Sequence, residues 1–359
     1  MENSIVNSAY DAIIVGAGPS GAATAKALTD EGLTALILER KELPRHKCCS
    51  GVLFGESQVL LKEYFGTLPP EEVYCEPRVI NADNIHRYEG KGRFSPWLWE
   101  WPKGGRAFPR DYLNVWRHKF DFWLAKKSRG QIIDRCIFEG FSTEGDLVKV
   151  KARQRGKPVE YHGKYLVGAD GGASSVRHAL DPTFKKKYIE TSVYQAYYRY
   201  KSMSLEHNHW YIFFGEGFGF GCLHIKDGLL TMCVGPPWGI KVKPAFENFR
   251  SFLKKRFHVN IGDFVRHEGC RLNNMFVAGN FHQGKNRVLL VGEAAGLIHM
   301  NASGIDTSLD SGYRAGASIA KALKKGVDGW KLYYEMTEDI REHIRECAKH
   351  QEIFRLRTT

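Results

Sequence analysis

The chain has 359 residues, 43% of them hydrophobic, and a formal net charge of +12. That length and composition suit one large or two modest globular domains and exclude a disordered chain. The charge is spread in small groups such as Arg117-His118-Lys119, with no basic arm or nucleic-acid motif, which sets nucleic acid aside in favour of phosphorylated small molecules or a membrane surface.

The N-terminal residues read as β–α–β. DAIIVGAG (11–18) is an apolar strand running into glycines, and PSGAATAKALTDEG (19–32) is a helix with Pro19 early and Gly32 as its stop. LTALILER (33–40) is apolar without alternation, as in a buried parallel strand. Segment 41–109 is mixed, with few firm elements. Leu113, Trp116, Phe120 and Leu124 recur every three or four residues and predict a helix over 110–130, capped by Asp111 and stopped by Gly130. Short strands are expected over 131–169 and aromatic strands over 189–240, separated by Gly and Asp-Gly turns. A helix over 244–256, a buried strand over 286–296 and helices over 304–325 and 329–355 complete the chain.

Eight cysteines stand at 48, 49, 75, 136, 222, 233, 270 and 347, without any CxxC, so no metal site is expected. The first residues carry no signal segment, and reduced thiols in a cytoplasmic protein are the expectation. No apolar run approaches the roughly 20 residues that span a bilayer. Contact with a membrane would be peripheral, and the stripe Tyr333, Met336, Ile340, Ile344 and Cys347 is the segment that would make it, if it is not core.

Gly16-Ala17-Gly18-Pro19-Ser20-Gly21 is a GxGxxG turn between strand and helix. Gly16 permits the tight turn, Gly18 lets a pyrophosphate approach the backbone, and Gly21 allows close helix–strand packing. The helix N-terminus adds N–H groups and positive potential. Glu39 and Arg40 close the second strand, Glu39 standing 18 residues after Gly21, where a carboxylate can bind adenosine ribose. Strand, glycines, helix, strand and acid together predict a dinucleotide site. The turn alone does not choose between NAD and FAD. GEGFGFG (215–221) lies within β sequence with no following helix, so no second dinucleotide site is expected.

Two further stretches carry a resemblance. YLVGADGGASSVR (165–177) resembles the second signature of FAD-dependent hydroxylases, and RVLLVGEAAGLIHMNASGIDTSLDSG (287–312) resembles the third. With the first turn, they identify a resemblance to the para-hydroxybenzoate-hydroxylase-like flavoprotein superfamily. Within it, VWRHKFDFWLA (115–125) is similar to the R-x-x-F-D-x-x-L helix of the geranylgeranyl reductase family, and the cysteine–glycine loop 48–51 also matches. The resemblance implies an α/β fold. It has a Rossmann-like FAD-binding domain, interrupted as in glutathione reductase, with a β-rich substrate domain and C-terminal helices. The division expected is 1–185 with 270–325 for FAD, 186–269 for substrate and 326–359 for the C-terminal helix.

By the same resemblance FAD is the cofactor, held by the Gly16–Gly21 turn, Glu39, Arg40, Arg117, Asp170 and Gly292. Glu293 replaces the usual Asp beside the ribityl chain, and Gly304 and Ile305 begin a helix facing the flavin pyrimidine. Cys49 and Gly51 belong to the loop that passes close to the flavin ring. Either Cys48 or Cys49 can align with the family cysteine. Both are candidate catalytic residues, and neighbouring His46 and Lys47 would favour a thiolate.

The family's aromatic substrate strand is altered here to Phe220-Gly221-Cys222-Leu223-His224-Ile225-Lys226. The turn before Gly304 is altered to His299-Met300-Asn301-Ala302-Ser303. His224 and His299 are therefore candidates for substrate contact or proton delivery, because histidine titrates near neutrality. Trp97-Leu98-Trp99-Glu100-Trp101-Pro102 resembles a halogenase motif but lies on the wrong side of the second signature. The expectation is a reductase saturating C=C bonds of an apolar or lipid substrate. Its electrons come transiently from NAD(P)H or from a protein such as ferredoxin. An FAD-dependent monooxygenase is the alternative, followed by a non-catalytic electron-transfer or redox-sensing flavoprotein.

Overall fold

The computed structural model describes residues 9–96, 108–184, 190–236, 239–273, 280–299 and 303–349. The opening unit forms as its apolar runs require: β1 (Tyr10–Val15), α1 (Pro19–Asp30) and β2 (Ala35–Leu38), the two strands parallel with Ala12 opposite Ala35. Segment 41–109 holds more structure than its sequence suggests: β3 (Val52–Leu53), α2 (Gly55–Phe65), β4 (Tyr74–Asn81), β5 (Ile85–Gly90) and β6 (Arg93–Pro96). The helix expected over 110–130 is two elements, β7 (Asp111–Val115) and α3 (Arg117–Lys127), with Trp116 rather than Asp111 at the helix cap. Leu113 and Val115 are buried on β7, which pairs with both β3 and β4, and that pairing overrides the helical period.

The chain continues through β8 (Gln131–Ile133), β9 (Cys136–Glu144), β10 (Leu147–Gln154), β11 (Lys157–Gly168) and α4 (Ser175–Leu180). Next come β12 (Glu190–Ser202), β13 (Trp210–Gly215), β14 (Gly219–Lys226), β15 (Leu229–Gly235), α5 (Val242–Phe257) and β16 (Asn260–Asn273). The strand expected over 286–296 is shorter: β17 (Gly284–Lys285) and β18 (Val288–Leu290) precede a 3-10 turn over Gly292–Ala295. The chain then forms α6 (Ile305–Lys325), α7 (Gly329–Met336) and α8 (Glu338–Lys349), so the single helix expected from 329 is broken at Thr337.

The first sheet runs β17-β18-β11-β1-β2-β8, with β10 and β9 branching from β11. β18, β11, β1, β2 and β8 are parallel. β11 serves twice: its first half pairs antiparallel with β10, and Gly163–Gly168 lies parallel to β1. This is the interrupted Rossmann-like core expected from sequence. α1 and α6 cover one face at very short range. A Cβ on Gly312 would stand 2.2 Å from the Ser20 carbonyl oxygen, and one on Gly316 2.5 Å from that of Thr24.

The second sheet runs β16-β12-β15-β14-β13-β5-β6. Alternation divides its faces. Ala196, Phe213, Leu223 and Met232 point to one side, where α5 lays down Phe246, Phe249, Leu253 and Phe257. Each such buried side chain contributes about 1.5–3 kcal/mol relative to exposure, which fixes α5 on that face. Gln195, Cys222, His224, Lys226, Cys233 and Glu268 occupy the other face, by register. The small sheet β3-β7-β4 stands against it.

Among the described residues no helix is long and apolar enough to cross a membrane. Of the stripe considered for membrane contact, Tyr333, Ile340 and Ile344 are buried and Met336 is half-buried, and the Tyr333 hydroxyl donates to the Leu290 carbonyl at 3.0 Å.

Candidate functional site

Three glycines shape the first turn in different ways. Gly16 has φ +111°, and a Cβ there would lie 2.4 Å from the Ala169 carbonyl oxygen; one on Gly21 would lie 2.0 Å from that of Gly16. Both positions let backbone pass backbone. Gly18 opens on free space, the nearest atom to an added Cβ being Arg45 Nη2 at 3.9 Å. Pro19 opens α1, and buried Ser20 lies against Gly292 of the third signature.

Glu39 is buried at the end of β2, and its carboxylate accepts from the Ala17 N–H at 3.3 Å and from Arg45 Nε at 2.8 Å. Arg40 is exposed. Arg45 continues to Asp121, Nη1 donating to Oδ2 at 2.8 Å, and Arg117 Nε donates to Asp121 Oδ1 at 3.0 Å. Burial alone would raise the Asp121 carboxyl, but Arg117 and Arg45 outweigh it and hold it below the usual carboxylate range. The Arg117 guanidinium also acts electrostatically on the Cys49 thiol. A chain of alternating charge thus runs from Glu39 beneath the glycine turn to the cysteine loop. Asp121 sits inside the R-x-x-F-D pattern and is legible there. Arg45 lies in a loop and has no sequence signal.

The second and third signatures are joined by Arg177, whose part no motif announces. Arg177 is buried and donates to the Ala294 carbonyl at 2.6 Å and to that of Gly172. Asp170 accepts from the Ser174 hydroxyl and the Ser175 N–H, both at 2.6 Å, so its carboxylate organises the start of α4. At Gly172 a Cβ would stand 2.9 Å from the Arg271 carbonyl oxygen and 2.5 Å from Glu293 Oε1. Gly304 caps α6, and Ile305 is buried in its first turn.

The cysteine loop lies between this core and the polar face of the second sheet. Gln195 Nε2 donates to the Cys49 carbonyl at 3.2 Å, and His224 Nε2 donates to the Ser50 carbonyl at 3.2 Å. Gly51 has φ +69°, and a Cβ would meet the Val115 carbonyl oxygen at 2.3 Å and Lys226 Nζ at 2.7 Å. Lys226 is buried and donates to that same carbonyl at 2.6 Å. The structure therefore brings Cys48, Cys49 and His224 together. Burial, with Lys226 nearby, pushes the His224 pKa down to about 3, which favours the neutral ring near pH 7.

His299 stands in a different cluster, at the start of α6. Its Nε2 lies 2.9 Å from Asp306 Oδ2, both residues buried, and Glu56 of α2 hydrogen-bonds Asp306. Burial, then the Asp306 charge, pushes Glu56 up to about 9. Ligand-type atoms of the three lie within 4.8 Å of one another. With its pKa raised, Glu56 can stay protonated near pH 7 and share that proton with Asp306. Neither Glu56 nor Asp306 stood out in the sequence. Trp97–Pro102 lies outside the described residues.

The glycine turn, the guanidinium beside it and the joined signatures fit a dinucleotide with its phosphates at the start of α1. A family model described as FAD binding domain matches residues 125–343. The chain belongs to the FAD binding domain family. The chain is also similar to Protein CbrA of Shigella flexneri serotype 5b (strain 8401), 25% identical over 92% of this chain and 86% of that protein. Protein CbrA of Escherichia coli (strain K12) is 25% identical over 84% and 82%. Among solved structures, a geranylgeranyl bacteriochlorophyll reductase-like protein from Thermoplasma acidophilum has a TM-score of 0.74 at 17% identity, covering 95% of this chain and 85% of that one. The p-nitrophenol 4-monooxygenase of Pseudomonas putida DLL-E4 has a TM-score of 0.72 at 14% identity, covering 98% and 90%. At these identities the likeness of this FAD binding domain protein to both structures is one of fold.

Proposed function

We propose that this protein is an FAD-dependent reductase that saturates a carbon–carbon double bond of an apolar substrate of isoprenoid type, with NAD(P)H or a ferredoxin-type protein as transient electron donor. One observation carries the reading. The Cys48–Gly51 loop is held by Gln195 and His224 at the seam between the FAD core and the second sheet, beside the half-buried aromatic wall of Phe54, Trp210, Phe214 and Phe220. The reductase-like name of the Thermoplasma structure supports it.

FAD, when bound and reduced, supplies a hydride to one carbon of the double bond. The open surface over Gly18 takes the phosphates, with Arg45 as their counter-charge, and Glu39 orients the ribose. The Arg117 charge acts on the Cys49 thiol of the cysteine loop. The aromatic wall holds the substrate and excludes water. Cys49 is half-buried whereas Cys48 is buried, so Cys49 is the thiol assigned to protonate the second carbon. Neutral His224 positions Ser50 rather than donating a proton.

The test mixes anaerobically reduced protein with a geranylgeranyl lipid and, in parallel, with air and an aromatic substrate. A lipid product heavier by two hydrogens per double bond supports the reading. Oxygen incorporated into product, with no lipid reduction, overturns it in favour of a monooxygenase.

A further inference from the structure

β16 is the outermost strand at one end of the second sheet. Its first half shows solvent an apolar pair: Phe264 is 52% exposed and Val265 43%. Among the described residues, no other large hydrophobic side chains adjacent in the chain are both exposed. The pairing of β12 with β16 slips between Tyr197 and Tyr198, between Tyr198 and Tyr200 and between Tyr200 and Ser202, so β16 bulges where it carries them. Phe264 meets Tyr198 edge to face, ring centroids 5.7 Å apart. Arg266, one residue past Val265, reaches the cysteine loop, its Nη1 3.3 Å from His46 Nε2. The apolar pair therefore stands at the outer rim of the candidate site.

Cations surround the pair. The Arg250 guanidinium of α5 lies 5.9 Å from the centre of the Tyr198 ring that Phe264 meets. A Cβ on Gly262 would meet the Lys201 side chain at 3.2 Å, which puts that cation beside the strand two residues before Phe264. Lys254 and Lys255 are exposed in the last turn of α5, which passes into β16 through the left-handed cap His258. Lysines in a last turn complement a helix dipole in any case, but Arg250 and Lys201 have no such duty. Acids are fewer here: Asp263 is exposed, Glu247 stands 3.4 Å from Arg250, and Glu268 pairs with Arg266 at 3.3 Å.

We infer that this end of β16, with the last turns of α5, is a docking surface for an anionic phospholipid membrane. Phe264 and Val265 enter the boundary between headgroups and acyl chains, and the cations hold the phosphates around them. A second copy of this chain fits less well. The register shifts deny an added strand a regular row of N–H and C=O groups, and two-fold symmetry would face the cations with their own equivalents. Docking stands on this surface alone. Where it meets the reductase reading, and resting on that reading, an isoprenoid lipid would leave the membrane beside the cysteine loop.

The flavin-loaded full chain is mixed at low salt with vesicles of equal parts phosphatidylcholine and phosphatidylglycerol, or of phosphatidylcholine alone, and floated on a density gradient. The expected result is flotation with the anionic vesicles only, reversed by added salt. Partitioning should be at least about tenfold weaker in the double variants Phe264→Ser with Val265→Ser and Lys254→Gln with Lys255→Gln. Retained flavin shows that a variant is folded. Hydrogen exchange of the wild-type protein decides even if a variant misfolds: the anionic vesicles should slow exchange over 254–266. No flotation, equal flotation with both vesicles, protection that misses 254–266, or a dimer that protects these residues without lipid overturns the inference. No lipid is turned over, so a failure here leaves the reductase reading standing, and a failure of that reading leaves docking standing.

Discussion

Arg45 Nη1 stands 2.8 Å from Asp121 Oδ2, and through that contact a loop after β2 is tied to the helix that carries Arg117. Asp121 is fully buried and serves both guanidinium groups. Asp121→Asn keeps the shape and removes the charge, leaving Arg117 without its counter-ion. Breaking a buried pair in this way costs about 3–5 kcal/mol, to be measured by urea unfolding. The folded pKa of Asp121 lies below its unfolded value, so its contribution is complete above about pH 4 and is lost as pH falls through the folded value. An Asp121→Asn protein as stable as wild type at pH 7 would contradict this account.

Gly18 separates cofactor binding from folding. An alanine there meets nothing closer than 3.9 Å, and its backbone is extended, which any residue adopts. Gly18→Ala is expected to match the wild-type apoprotein in thermal melting while binding FAD at least about tenfold more weakly, or about 1.4 kcal/mol. Gly21→Ala, by contrast, should lower the melting temperature of the apoprotein itself. Unchanged flavin affinity in Gly18→Ala would count against phosphates lying over this turn.

The Glu56–Asp306 contact predicts an alkaline loss of stability. The folded pKa of Glu56 is raised to about 9, so its proton is retained by the folded state and its contribution is present at low pH. That contribution is lost as pH rises from the unfolded value of about 4.3 through the folded one. Glu56→Gln cannot ionise and should melt increasingly above wild type as pH goes from 5 to 9. Parallel melting curves for the two proteins across that range would remove the proton from Glu56.

His224 should be silent to pH. Its ring resonances are expected to stay flat between pH 5 and 8, with the neutral Nε2–H tautomer bonded to Ser50. Midpoint titration near 6.5 in the nuclear magnetic resonance spectrum would restore it as a candidate acid.

The continuous apolar runs of β1 and β2 and the glycines between them were readable because buried parallel strands and close backbone passage leave few residue choices. β7 was not, because Leu113 and Trp116 happen to prolong the helical period of Phe120 and Leu124 across a strand–helix junction. α2 was hidden in a segment rich in glycine and proline. Residue types at 224 and 299 suggested proton chemistry, but burial, which spacing does not encode, pushes the His224 pKa down. Arg45 and Gln195 act through partners distant in sequence, so only the folded chain reveals them.

Helix α1 touches α6 through Gly312 and Gly316, almost the whole length of the chain away. During synthesis the ribosome must therefore release nearly all of the protein before the first glycine turn acquires its wall. Until then α1 carries an uncovered face, and non-local pairing of this kind is slow to form. Nascent chains stalled before residue 312 are expected to be protease-sensitive around α1 and to retain no flavin, and those extending past α6 to resist cleavage there.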